Sequence, residues 1–137
     1  MAHKFPSDEW LQALKDKLNN DENYARIAKN WEGDIMFNIE PEEPLPSTMN
    51  LYIDLWHGKC RRAFIVNQEQ DQDLEPAYVL SAPYGNFRRV LSSELDPMQA
   101  MITRKLRVQG SMAYMMRNVP VVLDFVRCAQ EIETDYL

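Results

Sequence analysis

Catalysis needs a nucleophile, a base or a metal cage within reach of one another, and this sequence offers few such groups. Its histidines are His3, in the opening segment, and His57, beside Gly58 in a turn signal. Cys60 and Cys128 form no CxxC pair and stand in no metal-ligand spacing. Asp54, His57 and Cys60 could be written as an activated thiol, but positions three apart around a hairpin turn need not converge. There is no GxSxG elbow, SxxK pair, HExxH helix, GxGxxG turn or Walker loop. Glu42-Glu43 and Asp71/Asp73 lie in polar stretches that read as solvated surface. The residues predict a protein that is not an enzyme and holds no metal or cofactor.

The positive signal is apolar. Five of the eight methionines, Met98, Met101, Met112, Met115 and Met116, crowd into one C-terminal stretch. Methionine is unbranched and polarisable, so it fills irregular space and adapts to varied shapes. At helical spacing a Met stripe more often packs a core. Here Met98 and Met101 fall on one short helix and the other three on a second, with a strand between. Two such helices leaning on one sheet would enclose an apolar cavity. The expected lining is Met98, Met101 and Ile102 from the first helix and Met112, Met115, Met116, Val119 and Leu123 from the last. Phe87 of a preceding helix and Trp56 at a strand end complete it.

Composition bounds what such a cavity could serve. One domain, 1–137, is the expected organisation, long enough for a real core. With 15 basic against 21 acidic side chains the net charge is −6, which argues against nucleic acid as a partner. Two thiols and no secretory leader suit a reducing cytoplasm. The longest apolar run, Val119–Leu123, falls far short of the roughly 18 residues a membrane span requires. The basic groups Arg88-Arg89 and Arg104-Lys105-Arg107 could support a transient membrane contact or meet a fatty-acid carboxylate at a cavity mouth. The oligomeric state is expected to be monomer or homodimer.

The elements that would position this cavity follow from periodicity. Ser7 caps a helix bearing Trp10, Leu11, Leu14 and Leu18. A second helix starts at Asn20 or Asp21 and runs through Tyr24, Ile27, Ala28 and Trp31, with Gly33 as its left-handed cap. The period then switches to two. Ile35, Phe37 and Ile39 mark one strand; Met49, Leu51, Ile53 and Leu55 mark the next. Opposite these, Tyr52 and Trp56 suggest that the second face is covered too. His57-Gly58-Lys59 turns into a third strand, Cys60–Val66. The polar loop 67–75 should join neighbouring strands, the next being Ala77–Ala82. A short helix carries Phe87, Val90 and Leu91. Asp96-Pro97 is the sharpest local signal, an N-cap carboxylate followed by Pro at the first helical position. Leu106 and Val108 form a short fifth strand that stops at Gly110. Ser111 caps a last helix, which Pro120 must kink or restart, and which continues to Ile132.

Asp96-Pro97, Ala100, Arg104-Lys105-Leu106, Val108 and Gly110 together are similar to a segment of the sterol carrier protein type 2 family. There a helix opening at Asp precedes a basic residue, a short strand and a Gly before the final helix. The order of elements agrees over roughly residues 5 to 132. The resemblance implies an α/β (α+β) fold with a five-stranded, mostly antiparallel sheet covered by about five helices. It also implies an apolar tunnel for fatty acyl chains, sterols or other lipids. Ser111 stands where many members have an acidic residue, and the chain closes Asp135-Tyr136-Leu137 rather than on a Ser-Lys-Leu address. Either residue can cap a helix at that position, and the closing tripeptide suits a stand-alone cytoplasmic, prokaryotic-type version. Two other readings stay open: an accessory subunit presenting an isoprenoid intermediate to a biosynthetic complex, and a structural or dimerising domain with a filled interior.

Overall fold

The computed structural model describes residues 2–137. It begins with β1 (His3–Phe5) and the amphipathic α1 (Asp8–Asn20), whose Trp10, Leu11, Leu14 and Leu18 are all buried. Ser7 caps α1 by accepting from the Trp10 N–H at 3.1 Å. α2 (Glu22–Ile27) is capped by Asp21, which accepts from the Tyr24 N–H at 2.9 Å. α2 stops at Ala28, shorter than the apolar spacing through Trp31 predicts. Trp31 instead packs from the following turn, where its indole N–H donates to the Gly33 carbonyl at 2.9 Å. Gly33 is therefore no helix cap; its N–H donates to the Leu55 carbonyl.

The sheet is built from β2 (Ile35–Glu40), β3 (Met49–Trp56), β4 (Lys59–Ile65), β5 (Tyr78–Pro83) and β6 (Arg107–Gln109). Their order is β4-β3-β2-β5-β6, antiparallel throughout except for the parallel pair β2–β5. His57 and Gly58 both take positive φ, the conformation a two-residue hairpin between right-twisted strands requires. One expectation fails here. Loop 67–75 does not join neighbours, because β5 adds beyond β2, with β3 and β2 lying between it and β4. A parallel partner cannot be reached by a hairpin, so the connection must cross the sheet.

Helices cover one face. α3 (Tyr84–Leu91) follows β5 directly, and α4 (Pro97–Ile102) opens at Asp96, whose carboxylate accepts from Met98 N–H and Gln99 N–H at 2.8 and 3.1 Å. After β6 the chain turns at Gly110, with φ +131°. A Cβ there would stand 2.5 Å from Tyr78 Cδ1 and 2.6 Å from the Ala77 carbonyl oxygen, so only glycine fits. α5 (Met112–Arg117) is capped by Ser111. Pro120 restarts the helix, as α6 (Val119–Gln130), at the second helical position, where a missing N–H costs nothing. β7 (Thr134–Tyr136) ends the chain by pairing in parallel with β1. This two-stranded clasp between residues 3–5 and 134–136 has no counterpart in the periodicity.

The second sheet face is covered in part. Tyr52 is buried there, its ring beneath the Arg62 guanidinium and against Phe64, its hydroxyl donating to Asp34 at 2.6 Å.

Candidate functional site: an apolar cavity between sheet and helices

Strand alternation puts every second residue of the central strands on the helix-covered face. Ile35, Phe37 and Ile39 of β2, Leu51, Ile53 and Leu55 of β3 and Leu80 of β5 thereby form one floor. Above it lie Val121, Val122, Phe125, Val126 and Ala129 of α6, with Phe87, Val90 and Leu91 of α3 beside them. Pro97, Met101 and Leu106 from around α4, and Met115 of α5, close one side. Phe5, Trp10 and Leu14 close the end nearest the clasp, and Trp31 also contributes. Between them is a cavity of about 100 Å³.

Aromatic rings span this space. Phe37 meets Phe87 edge-on at 6.0 Å between centroids and lies parallel to Phe125 at 6.1 Å. Phe5 packs against Trp10 at 4.8 Å and against Tyr84 at 6.2 Å. The lining tryptophans direct their N–H groups elsewhere, Trp10 to Thr134 Oγ1 at 3.0 Å and Trp31 to the Gly33 carbonyl. All lining side chains are apolar. Such a cavity rewards hydrocarbon and offers nothing to a charge or a hydrogen-bonding group.

Of the ten side chains expected to line it, Phe87, Met101 and Met115 do. Met98 and Val119 are half-buried outside it. Trp56 is on the opposite face of the sheet, 40 % exposed, with the Arg61 guanidinium 4.8 Å from its ring centroid. Its alternation with Leu55 decides this, since neighbours on a strand face opposite ways. Ile102, Met112, Met116 and Leu123 are exposed, each on the outer side of a helix whose inner side meets the cavity. Helical neighbours point about 100° apart, and in these short helices Met101 and Met115 turn inward while Ile102 and Met116 turn outward. Trp10, Phe37 and Phe125 line it too, and their signal in the sequence is the same periodicity, which marks a buried face without separating packed core from cavity wall. Phe5, also in the lining, belongs to no periodic pattern.

Among the described residues, Asp54, His57 and Cys60 each face a different partner. Asp54 holds Arg61 through two contacts of 3.0 and 3.1 Å, His57 Nε2 meets Glu32 at 2.7 Å, and Cys60 Sγ lies 3.5 Å from the Arg62 carbonyl. Burial pushes the Cys60 thiol up to about 12 and the Cys128 thiol up to about 11, away from the reactive thiolate. Asp21, Asp124 and Cys128 bring ligand atoms within 4.8 Å of one another, yet a cation is already built in. The Arg127 guanidinium donates to Asp21 at 2.7 Å and to Asp124 at 2.8 Å. It holds the Asp21 carboxyl well below the usual carboxylate range, helped by the Tyr24 N–H. No helix among the described residues is long and apolar enough to cross a membrane.

Solved structures of known proteins share this fold. A crystal structure of sterol carrier protein 2 superposes with a TM-score of 0.81 at 29% identity, covering 92% of this chain and 97% of that one. A conserved hypothetical protein of Thermus thermophilus gives a TM-score of 0.81 at 28% identity, covering 94% and 90%. The sterol carrier protein 2 of Aedes aegypti, solved with the C16 fatty acid palmitate, shares the fold at 16% identity and a TM-score of 0.53, covering 88% and 93%. No curated protein matches the chain. The model of the SCP-2 sterol transfer family matches residues 11–122, the stretch holding every strand of the five-stranded sheet and the beginning of α6. With that match over most of its length, the chain belongs to the SCP-2 sterol transfer family.

Proposed function

We propose that this chain is a non-catalytic lipid carrier that takes the hydrocarbon part of its cargo into the cavity between sheet and helices. The observation that carries this is the lining: an internal space walled only by apolar side chains. Phe87, Met101 and Met115 would touch the cargo, together with Phe37 and Phe125. Each buried methylene contributes about 0.8 kcal/mol, so a sixteen-carbon chain gains on the order of 12 kcal/mol before costs. Association costs of roughly 4–15 kcal/mol leave a modest net affinity without any polar anchor. That the Aedes aegypti protein of the same fold was solved with palmitate supports an acyl chain as one cargo.

At about 100 Å³ the cavity is smaller than the roughly 300–1,000 Å³ typical of ligand pockets. Loading would have to part its walls, forming the tunnel the cargo needs. Met101 and Met115 are suited to this, being flexible and polarisable. The cargo's polar end must stay at the surface, because nothing inside can satisfy it. Native mass spectrometry of gently purified protein should show a lipid adduct, and a fluorescent fatty acid should bind with micromolar or better affinity. A protein that carries no lipid and gives no displaceable signal would sink the reading.

A further inference from the structure

The sheet face turned away from the cavity carries a concavity of its own. Strand alternation places Met36, Asn38, Asn50 and Val79 on that face, and the register sets Asn38 beside Asn50 and Met36 beside Val79. The chain from the end of β4 to β5 crosses over them. Val66, Gln68, Asp71, Gln72 and Leu74 of this crossing complete a groove of about 480 Å³. That volume lies within the roughly 300–1,000 Å³ typical of ligand pockets.

Its chemistry is the reverse of the cavity's. Asn38, Asn50, Gln68 and Gln72 bring side-chain amides to the lining, each able to donate and to accept. Among the described residues, the Asn38 amide alone of these has a side-chain bond within the protein, donating to Ser81 Oγ at 3.2 Å. Met36, Val66, Leu74 and Val79 add apolar surface. The charge has one sign. Asp71 is in the lining, Glu69, Asp73 and Glu75 belong to the same crossing, and no Lys, Arg or His occurs from Ala63 to Phe87. None of these carboxylates meets a cation among the described residues. Arginines of this sheet face are engaged with other groups, Arg107 with Glu40 and Arg62 over the rings of Tyr52 and Phe64.

We infer that this groove is a docking site for an extended, basic segment of a partner polypeptide. Each peptide unit offers one N–H and one C=O, the two groups that a carboxamide answers. Successive side chains of an extended segment point opposite ways, so an apolar one set down on Met36 and Val79 leaves its basic neighbours for the carboxylates of the crossing. Other ligands fit less well. An anion meets only negative charge here, and a hydrocarbon chain would leave the amides unpaired. A sugar would satisfy the amides but leave the carboxylates unanswered. Groove and cavity lie on opposite faces of one sheet, so a partner held here leaves the helix-covered side free for cargo. Only that purpose depends on the carrier reading; the groove stands without it.

The test uses the full chain with four fluorescent hexapeptides in which Lys alternates with Val, Leu, Met or Phe, and four counterparts with Glu in place of Lys. By fluorescence anisotropy at least one lysine peptide should bind at least about tenfold more tightly than its counterpart, and added salt should weaken it. Amide NMR shifts on binding should cluster at residues 36–38, 50, 66–74 and 79. Asp71→Asn keeps an acceptor for the Asn67 N–H, which Asp71 Oδ2 holds at 2.7 Å, and should cost about tenfold in affinity. Asn50→Ala should cost about fivefold. Circular dichroism should show both variants folded, and their fatty-acid uptake without peptide should match the parent. Lysine peptides that bind no better than their glutamate counterparts, shifts that fall outside the groove, or variants that bind as the parent does would overturn the inference. So would maltotriose shifting the groove amides where the peptides do not, which would make this a sugar site. A parent that binds a lysine peptide but takes up no fatty acid would count against the carrier reading alone.

Discussion

Phe125 of α6 lies nearly parallel to Phe37 of β2, their ring centroids 6.1 Å apart and their planes inclined by 7°. This stack joins helix layer to sheet across the cavity, so a long cargo must slide beside it or push it apart. Phe125→Ala would remove one ring and enlarge the space. It should cost about 2–3 kcal/mol, below the full penalty for a buried Phe because Phe125 is only half-buried. The same variant should accept bulkier, ring-containing lipids than the parent. Chemical denaturation and a competition series with lipids of increasing width would check both.

Met101 and Met115 face the cavity from different helices, and filling it from either should exclude cargo. Met101→Trp with Met115→Trp is expected to abolish fatty-acid uptake at a stability cost of about 1–3 kcal/mol per site. Loss of stability with uptake retained would mean the cargo lies elsewhere.

The two thiols give a chemical readout of the fold. Burial holds Cys60 at about 12 and Cys128 at about 11, so at mildly alkaline pH neither is a thiolate in the native protein. Ellman's reagent should report no reactive thiol until denaturant is added, then two. Fast labelling of either in the native state would contradict this burial.

Arg127 ties α6 to the cap of α2, with contacts to Asp21, Asp124 and Glu131. Arg127→Met leaves buried Asp124 without its cation, although its Asn23 hydrogen bond remains at 2.9 Å. A loss of about 2 kcal/mol is expected, trimmed from a buried pair's larger value because a third of the arginine side chain meets solvent. The pH dependence follows from Asp21 and Glu131, whose folded carboxyls are both held below their ordinary values, 3.8 and 4.5. Their contribution is complete above those values and is lost as pH falls through the lower folded ones. Denaturant midpoints should therefore be flat from neutral pH to about 5 and fall in stronger acid, less steeply in Arg127→Met.

The parts of this architecture that the sequence announces are those governed by neighbours. The α1 stripe, the alternation of β2 and β3, the hairpin at His57-Gly58 and the cap at Asp96 each depend on residues within one turn or one strand. The family signature between Asp96 and Gly110 is local in the same sense. What escaped depends on distant partners. β5 pairs with β2 rather than with a strand beside it in sequence, and three-residue strands such as β1 and β7 are too short to show a period. The cavity suffers most. Met98 and Met101 differ only in which side of one helical turn they occupy, and that side is fixed by where α4 docks. Phe37 and Phe125 announce burial, but whether a buried face meets another side chain or open space is settled by the spacing of whole layers.

The clasp has a kinetic meaning. His3 pairs with Thr134 and Phe5 with Tyr136, so the wall that Phe5 gives the cavity is anchored by a strand 131 positions further along the chain. Contacts so far apart in sequence are among the slowest to form, because the whole intervening chain must first be drawn together. The strands β2 to β6 precede β7 in the chain, so the five-stranded sheet can assemble before the clasp does. Until β7 joins β1 the container is incomplete, leaving an interval in which a half-built cavity lies open to whatever hydrophobic molecule or nascent chain is nearest.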